Sequence, residues 1–256
     1  MVRILGIVNV TPDSFWSGSR VQNKASVVER VRQMISQGAD AIDIGGCSTR
    51  PNAVQASEEE EMERLEWGLD AIRDEFPDLL LSVDTYRPLI AERCVRQWKV
   101  AIINDVYGGD ADMYGVVAST GAEYVLTWAE DIRENPVEEM MSFFRERLQL
   151  IEKAGVDVKD KIILDPGYGF GKTVEQNYTV LAHQAELRVF GLPVLAGLSR
   201  KSMAWKLLKI TPEEALPATV AMNTAALMAG ADWLRVHDVR EAVHAARIVQ
   251  ALNDNK

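Results

Sequence analysis

Eight short apolar runs, each rich in β-branched residues and separated from the next by a stretch with helical character, constrain this chain more than any other feature. They lie at Arg3 to Val8, Ala41 to Ile44, Leu79 to Val83, Val100 to Ile103, Tyr124 to Leu126, Lys161 to Leu164, Pro193 to Ala196 and Trp233 to Val236. Continuous apolar runs of this length suit strands covered on both faces, and helical crossovers between them make the strands parallel. The first intervening segment sets Val27, Val28, Val31, Met34 and Ile35 on one face before Gly38. The second opens at Ser57 with the acidic run Glu58 to Glu61, suited to the positive end of a helix dipole, and continues through Met62, Leu65 and Leu69. The last, Val239 to Leu252, repeats the pattern with Val243, Ala246 and Val249.

An open doubly wound sheet and a closed barrel both satisfy this order. A dinucleotide-binding sheet would carry Gly-x-Gly-x-x-Gly after its first strand, and none is present. Polar and glycine-rich residues instead follow almost every run, as expected where one barrel mouth gathers its chemistry from all eight loops. The expected fold is a parallel (β/α)8 TIM barrel, with residues 1–256 as one domain, a length common for such barrels.

The formal net charge of -10 argues against a surface made to neutralise nucleic acid or an anionic membrane, so an anionic substrate must be held by a few local cations. Two cysteines, Cys47 and Cys94, are too few for a disulfide framework and form no paired metal-ligand pattern. With no apolar run long enough to span a membrane and no secretory cleavage pattern, a cytoplasmic location is expected.

The residues at the carboxyl ends of the runs are Asn9, Ser48 to Pro51, Asp84, Asn104 and Asp105, Thr127 and Trp128, Asp165, Ser199 to Ser202, and Arg235 with His237. Asp84, Asn104, Asp165 and Lys201 offer two carboxylates, an amide and an ammonium. That set complements a flat heterocycle whose guanidine-like edge presents N–H donors beside a carbonyl acceptor. Each Asp or Asn alone could equally cap a helix or shape a turn; four together favour a site. A second group, Arg50, Arg235 and His237, suits a phosphate or diphosphate. Taken singly, Arg235 could be a structural ion pair and His237 a helix-start residue. His183 and His244 fall within helical stretches and read as surface or packing residues. The loop Asp165 to Lys172 is rich in glycine but is not a P-loop, because Pro166 occupies the position five before Gly171. It reads as a tight loop whose glycines let backbone approach a ligand.

Seven segments in order resemble the signatures of the dihydropteroate synthase family: Ile7 to Phe15, Gly45 to Pro51, Ser82 to Thr85, Ile103 to Asp105, the Asp165 loop, Ser199 to Ser202 and Arg235 to Asp238. The resemblance runs from about residue 4 to residue 250. It implies a pterin-binding barrel in which Asp84, Asn104, Asp165 and Lys201 hold a dihydropterin and Arg235 stacks on its face. It further implies that Asn9 contacts Mg²⁺ and that Thr49, Arg50 and His237 engage the diphosphate. An arylamine pocket would be formed by Phe15, Pro51, Phe170 and Ser202. The implied reaction joins 6-hydroxymethyl-7,8-dihydropterin diphosphate to p-aminobenzoate with loss of diphosphate, and Arg50, Lys201 and His237 are its expected catalytic groups. A homodimer formed through outer helices is also implied.

The chain departs from the family pattern at three places. Thr127-Trp128 stands where many members have Met-His, Ser17 where Asp is frequent, and Cys47 where Glu is common. Three other readings compete. A barrel that passes a methyl group from a folate to a corrinoid protein would share Asp84, Asn104 and Asp165 but has no need of Thr49-Arg50-Pro51 or Ser199 to Ser202. A Schiff-base aldolase using Lys201 is weakened by Arg200 and the carboxylates. A non-catalytic pterin-holding paralogue draws on the Ser17 and Thr127-Trp128 departures.

Overall fold

The computed structural model describes residues 2–10, 24–47 and 56–255. Eight parallel strands, β1 (Arg3–Asn9), β2 (Ala41–Gly45), β3 (Leu81–Asp84), β4 (Ile102–Asp105), β5 (Glu123–Thr127), β6 (Ile162–Asp165), β7 (Leu195–Ala196) and β8 (Trp233–Val236), pair in the order β6-β5-β4-β3-β2-β1-β8-β7. A parallel bridge between Leu164 and Val194, with the Leu164 N–H donating to the Pro193 carbonyl at 2.8 Å, joins β6 to β7 and completes the TIM barrel. The open-sheet alternative is therefore excluded.

Ten α-helices appear among the described residues. They are α1 (Lys24–Gln37), α2 (Glu58–Glu75), α3 (Pro88–Trp98), α4 (Ala111–Thr120), α5 (Pro136–Lys153), the short α6 (Val158–Lys161), α7 (Val174–Ala182), α8 (Ser202–Leu208), α9 (Leu216–Met228) and α10 (Val239–Asp254). On α1 the buried face is Val27, Val31 and Met34, while Ile35 is exposed. On α10 it is Val239, Ala242, Ala245 and Val249, with Val243 and Ala246 only partly covered. The expected apolar stripes were thus right in place but displaced at their edges. Ser57 caps α2 in a capping box with Glu60, so Glu58 to Glu60 form a solvated helix start. Glu61 does not join them: it is fully buried, accepts from the Thr85 hydroxyl at 2.7 Å and pairs with Arg87.

Two apolar layers hold the barrel. The larger lies between strands and helices and contains Val8, Ile44, Val83, Ile103, Leu126, Leu164 and Val236. The smaller fills the barrel interior with Leu5, Ala41, Ile102, Val125, Ile163, Leu195 and Trp233, against which Leu80 packs. Strand side chains alternate faces, so the residue two positions beyond each interior residue also points inward, one layer nearer the carboxyl ends. Those residues are Ile7, Asp43, Asn104, Thr127, Asp165, Gly197 and Arg235, with Ser82 and then Asp84 on β3. The barrel changes from apolar to polar within a single layer.

Candidate active site

Arg235 of β8 lies at the centre of this polar layer. Its Nε donates to Asp43 Oδ2 at 2.6 Å and its Nη2 to Asp84 Oδ2 at 2.5 Å. Asp43 is fully buried and also accepts from Ser82 Oγ at 2.5 Å and Asn104 Nδ2 at 3.0 Å. One carboxylate on β2 thereby orients groups on β3, β4 and β8, and it holds the guanidinium plane in a fixed attitude. Burial alone would lower the Arg235 pKa, but the charges of Asp43 and Asp84 outweigh it and hold the pKa above its ordinary value. These donors are engaged by Asp43 and Asp84, so Arg235 is ion-paired to carboxylates on β2 and β3.

Asp43 was missed by reasoning from strand ends. Its signal was present, since a carboxylate within Ala-Ile-Asp-Ile-Gly must find partners once the strand is buried on both faces. The two polar atoms opposite it remain open: Asp84 Oδ1 and Asn104 Oδ1 are buried and have no hydrogen-bond partner among the described residues. Two acceptors on adjacent strands, each costing about 1–3 kcal/mol if left unmade, suit a ligand edge that donates hydrogen bonds. Burial, partly offset by Arg235, raises the Asp84 pKa to about 7.

Asp165 ends β6, and its Oδ1 accepts from the Gly167 N–H at 2.8 Å. Desolvation raises its pKa, opposed by that bond and by the nearby charges of Lys201, Arg235 and Lys172. The Lys201 ammonium stands 4.3 Å from the centre of the Phe170 ring, and a Cβ on Gly169 would come within 2.9 Å of its Cδ. Burial lowers its pKa to about 8, although Asp165 and Asp84 favour the charged form. Asp84, Asn104, Asp165, Arg235 and Lys201 are therefore brought together, with Phe170 beside them.

The turn that carries Lys201 is fixed by its neighbour. Arg200, at φ 52°, bonds both oxygens of Asp238 at 2.9 and 3.0 Å and reaches the Pro212 and Glu213 carbonyls. His237 joins the same clamp: its N–H donates to Ser199 Oγ at 3.2 Å, and its carbonyl accepts from Arg30 Nη2 at 2.7 Å. Burial, reinforced by Arg235, Arg30, Arg200 and Lys201, drives its pKa down to about 3. The neutral imidazole is therefore the favoured form of His237. Ser202 is half-buried at the first position of α8.

Asn9 ends β1, half-buried, with its Oδ1 3.5 Å from where a Cβ on Gly45 would stand, a position equally close to Asp84 Cβ. A single amide oxygen beside a side-chain-free residue fits Mg²⁺ that takes its other ligands from water and phosphate. No group of three or more His, Cys, Asp or Glu among the described residues could hold a metal. Phe15, Thr49, Arg50 and Pro51, together with Ser17, lie outside the described residues. Asp105, also at a strand end, accepts from Tyr124 OH and the Tyr107 N–H, both at 2.9 Å, and shapes its own loop. His183, bonded to Glu186 at 2.8 Å, and His244 are exposed, as expected.

A profile of the pterin binding enzyme family matches residues 5–237. The chain is 39% identical over 258 residues to the dihydropteroate synthase of Escherichia coli K12, covering 97% of this chain and 90% of that one. Among solved structures, the Yersinia pestis dihydropteroate synthase in complex with a sulfonamide drug superposes with a TM-score of 0.93 at 36% identity, covering 100% of this chain and 95% of the other. The Xanthomonas albilineans dihydropteroate synthase with 4-aminobenzoic acid gives 0.90 at 37% identity, covering 98% and 93%.

Proposed function

Given that this chain belongs to the pterin binding enzyme family, we propose a division of labour among its residues for the dihydropteroate synthase reaction that the family relationship establishes. It is a transferase of folate biosynthesis that forms a C–N bond, joining a dihydropterin diphosphate to p-aminobenzoate. The observation that carries the residue assignments is the pair of open acceptors, Asp84 Oδ1 and Asn104 Oδ1, beside a guanidinium fixed by two carboxylates.

The pterin edge donates to Asp84, Asn104 and Asp165, and Lys201 donates to the acceptor atoms of the ring. Arg235 lies against the ring face, its plane set by Asp43 and Asp84. Phe170 and Ser202, with Phe15 and Pro51, form the arylamine pocket. Thr49, Arg50 and His237 receive the diphosphate. A neutral His237 offers that anion a hydrogen bond, and the arriving negative charge favours its protonation.

In the reaction the bond between the pterin methylene carbon and the diphosphate oxygen breaks, the arylamine nitrogen bonds to that carbon, and the nitrogen releases a proton. No side chain becomes covalently attached. Arg50, Lys201 and His237 act by holding charge where it develops, and of these Lys201 and His237 belong to groups already packed before substrate arrives. Asn9 would hold Mg²⁺, which when bound supplies positive charge to the diphosphate leaving group.

A single domain over 1–256 is supported by the one continuous sheet that carries every assigned strand. Free Cys47 and Cys94 and the lack of any described helix long and apolar enough to cross a membrane support a cytoplasmic setting. A homodimer is supported by exposed apolar residues on the late helices.

The deciding assay supplies dihydropterin diphosphate, p-aminobenzoate and Mg²⁺ and measures dihydropteroate and diphosphate in equal amounts. Lys201→Ala should lower turnover at least about a hundredfold with the fold intact. Pterin binding without product at high enzyme concentration would instead mark a non-catalytic binding protein.

A further inference from the structure

Lys172, at the end of the glycine loop, takes no part in the substrate contacts proposed for Asp165 and Phe170, although it is tightly engaged. It is half-buried, and its Nζ donates to three carbonyls: Trp128 at 2.9 Å, Phe170 at 3.0 Å and Gly167 at 3.1 Å. The same ammonium lies 4.0 Å from the centre of the buried Trp128 ring. An exposed lysine at a loop end ordinarily keeps its donors in water, whereas here all three go to main-chain oxygens.

Two of those oxygens, at Gly167 and Phe170, belong to the loop itself, and the third belongs to the segment after β5. The loop lies flat on that segment: Cβ atoms on Gly167 and Gly171 would come within 1.8 Å of the Trp128 carbonyl oxygen and 2.7 Å of that of Glu130. Glycine allows the approach, and the lysine fastens it. Phe170 sits between the two lysines, its carbonyl on Lys172 and its ring on Lys201.

We propose that Lys172 is a positioning residue for arylamine binding, pinning the Asp165–Lys172 loop to Trp128 so that the Phe170 ring is held against Lys201. Trp128 is then a working part of this chain's version of the site, providing both a carbonyl and a ring face to the ammonium. The pterin contacts Asp84 and Asn104 belong to β3 and β4 and stand apart from this fastening, and Asp165 is held in the ladder as the last residue of β6. The inference rests on the synthase reading through its assignment of Phe170 to the arylamine pocket.

The test is Lys172→Met, which keeps side-chain length and removes the donors and charge, beside Lys172→Arg and Trp128→Leu. In each, kcat and KM for p-aminobenzoate are measured, and dihydropterin diphosphate binding is titrated without arylamine. Lys172→Met should raise the p-aminobenzoate KM about tenfold or more while dihydropterin binding stays within about threefold. Lys172→Arg should recover most of that loss, and Trp128→Leu should shift the same KM by about threefold. An unchanged arylamine KM, or equal weakening of both substrates, would overturn the proposal. If Lys172→Met does not fold, Trp128→Leu decides by the same split between substrates. A wild-type enzyme that makes no product would sink the synthase reading, whereas an active wild type with an indifferent Lys172→Met would sink this inference alone.

Discussion

In the proposed pterin site, the ionisation of Asp84 and Lys201 would set the pH range in which the ligand edge is held. The Asp84 pKa is raised to about 7, chiefly by burial, so its carboxylate is lost as pH falls through that value. The Lys201 pKa is lowered to about 8, so its ammonium is lost as pH rises beyond it. Dihydropterin binding, titrated without arylamine, should peak between these limits and fall by up to about tenfold per unit outside them. His237 should add no inflection near its ordinary value, because burial holds its pKa near 3. Stability separates binding from unfolding on the alkaline side. A lysine whose folded pKa is depressed lets the native state release its proton first, so above about 8 this group makes the fold more stable while binding weakens. Lys201→Arg should carry the alkaline limit past pH 10, and a limit that stayed near 8 in that variant would refute the assignment. The four pterin-type residues were legible because carboxylates and amides at successive strand ends are conspicuous. Asp43 was not, since it sits inside β2, two residues before the strand ends at Gly45, and only the interior alternation from Ala41 reveals that it points toward Arg235.

At the level of the element, the Asp165–Lys172 loop shows how glycines without a phosphate-binding pattern still serve a site. Gly167, Gly169 and Gly171 all have positive φ, at 66°, 83° and 57°, and Gly167 faces the Trp128 carbonyl. Gly155 provides a control, with φ 90° and nothing within 4 Å of its missing Cβ. Gly155→Ala should cost only the backbone penalty, about 1 kcal/mol, whereas Gly167→Ala should cost about 3 kcal/mol or more because the chain must also move off Trp128. Urea unfolding measures both, and equal costs would mean that the loop gives way freely. Spacing alone excluded a P-loop here, and it showed a close backbone approach without showing to what. The partner is the segment after β5, a contact fixed by tertiary packing. Strand ends were misjudged for a related reason. The runs stop at their last apolar residue, but β3, β4 and β6 continue through Asp84, Asp105 and Asp165, whose backbones stay in the ladder while their side chains provide the chemistry. β7 shrinks to Leu195–Ala196 because Pro193 has no N–H to pair and contributes only its carbonyl.

For the molecule as a whole, the closed barrel accounts for nearly all of the inward face, and what it leaves over is on the outside. Leu207 is 55% exposed, Leu208 54% and Met228 65%, on α8 and α9, which pack against each other. Farther along, Ile248 and Leu252 are exposed on α10, which packs on α9. Scattered apolar residues are ordinary on a protein surface, and Ile35, Leu89, Tyr107 and Leu150 are others here, but Leu207, Leu208, Met228, Ile248 and Leu252 all lie on α8, α9 and α10, whereas α2 offers no large exposed apolar residue. A pairing across this face would be isologous, each subunit presenting the same helices to the other. Sedimentation equilibrium should then give twice the mass of the chain at micromolar concentration, and Met228→Glu should raise the dissociation constant at least about a hundredfold by placing a charge in the contact. The substitution lies far from the strand ends that bear the chemistry, so the pH profile of dihydropterin binding should be unaltered in the monomer. A wild-type chain that sediments as a monomer throughout would refute the dimer, and a Met228→Glu protein that remains dimeric would move the contact to another face.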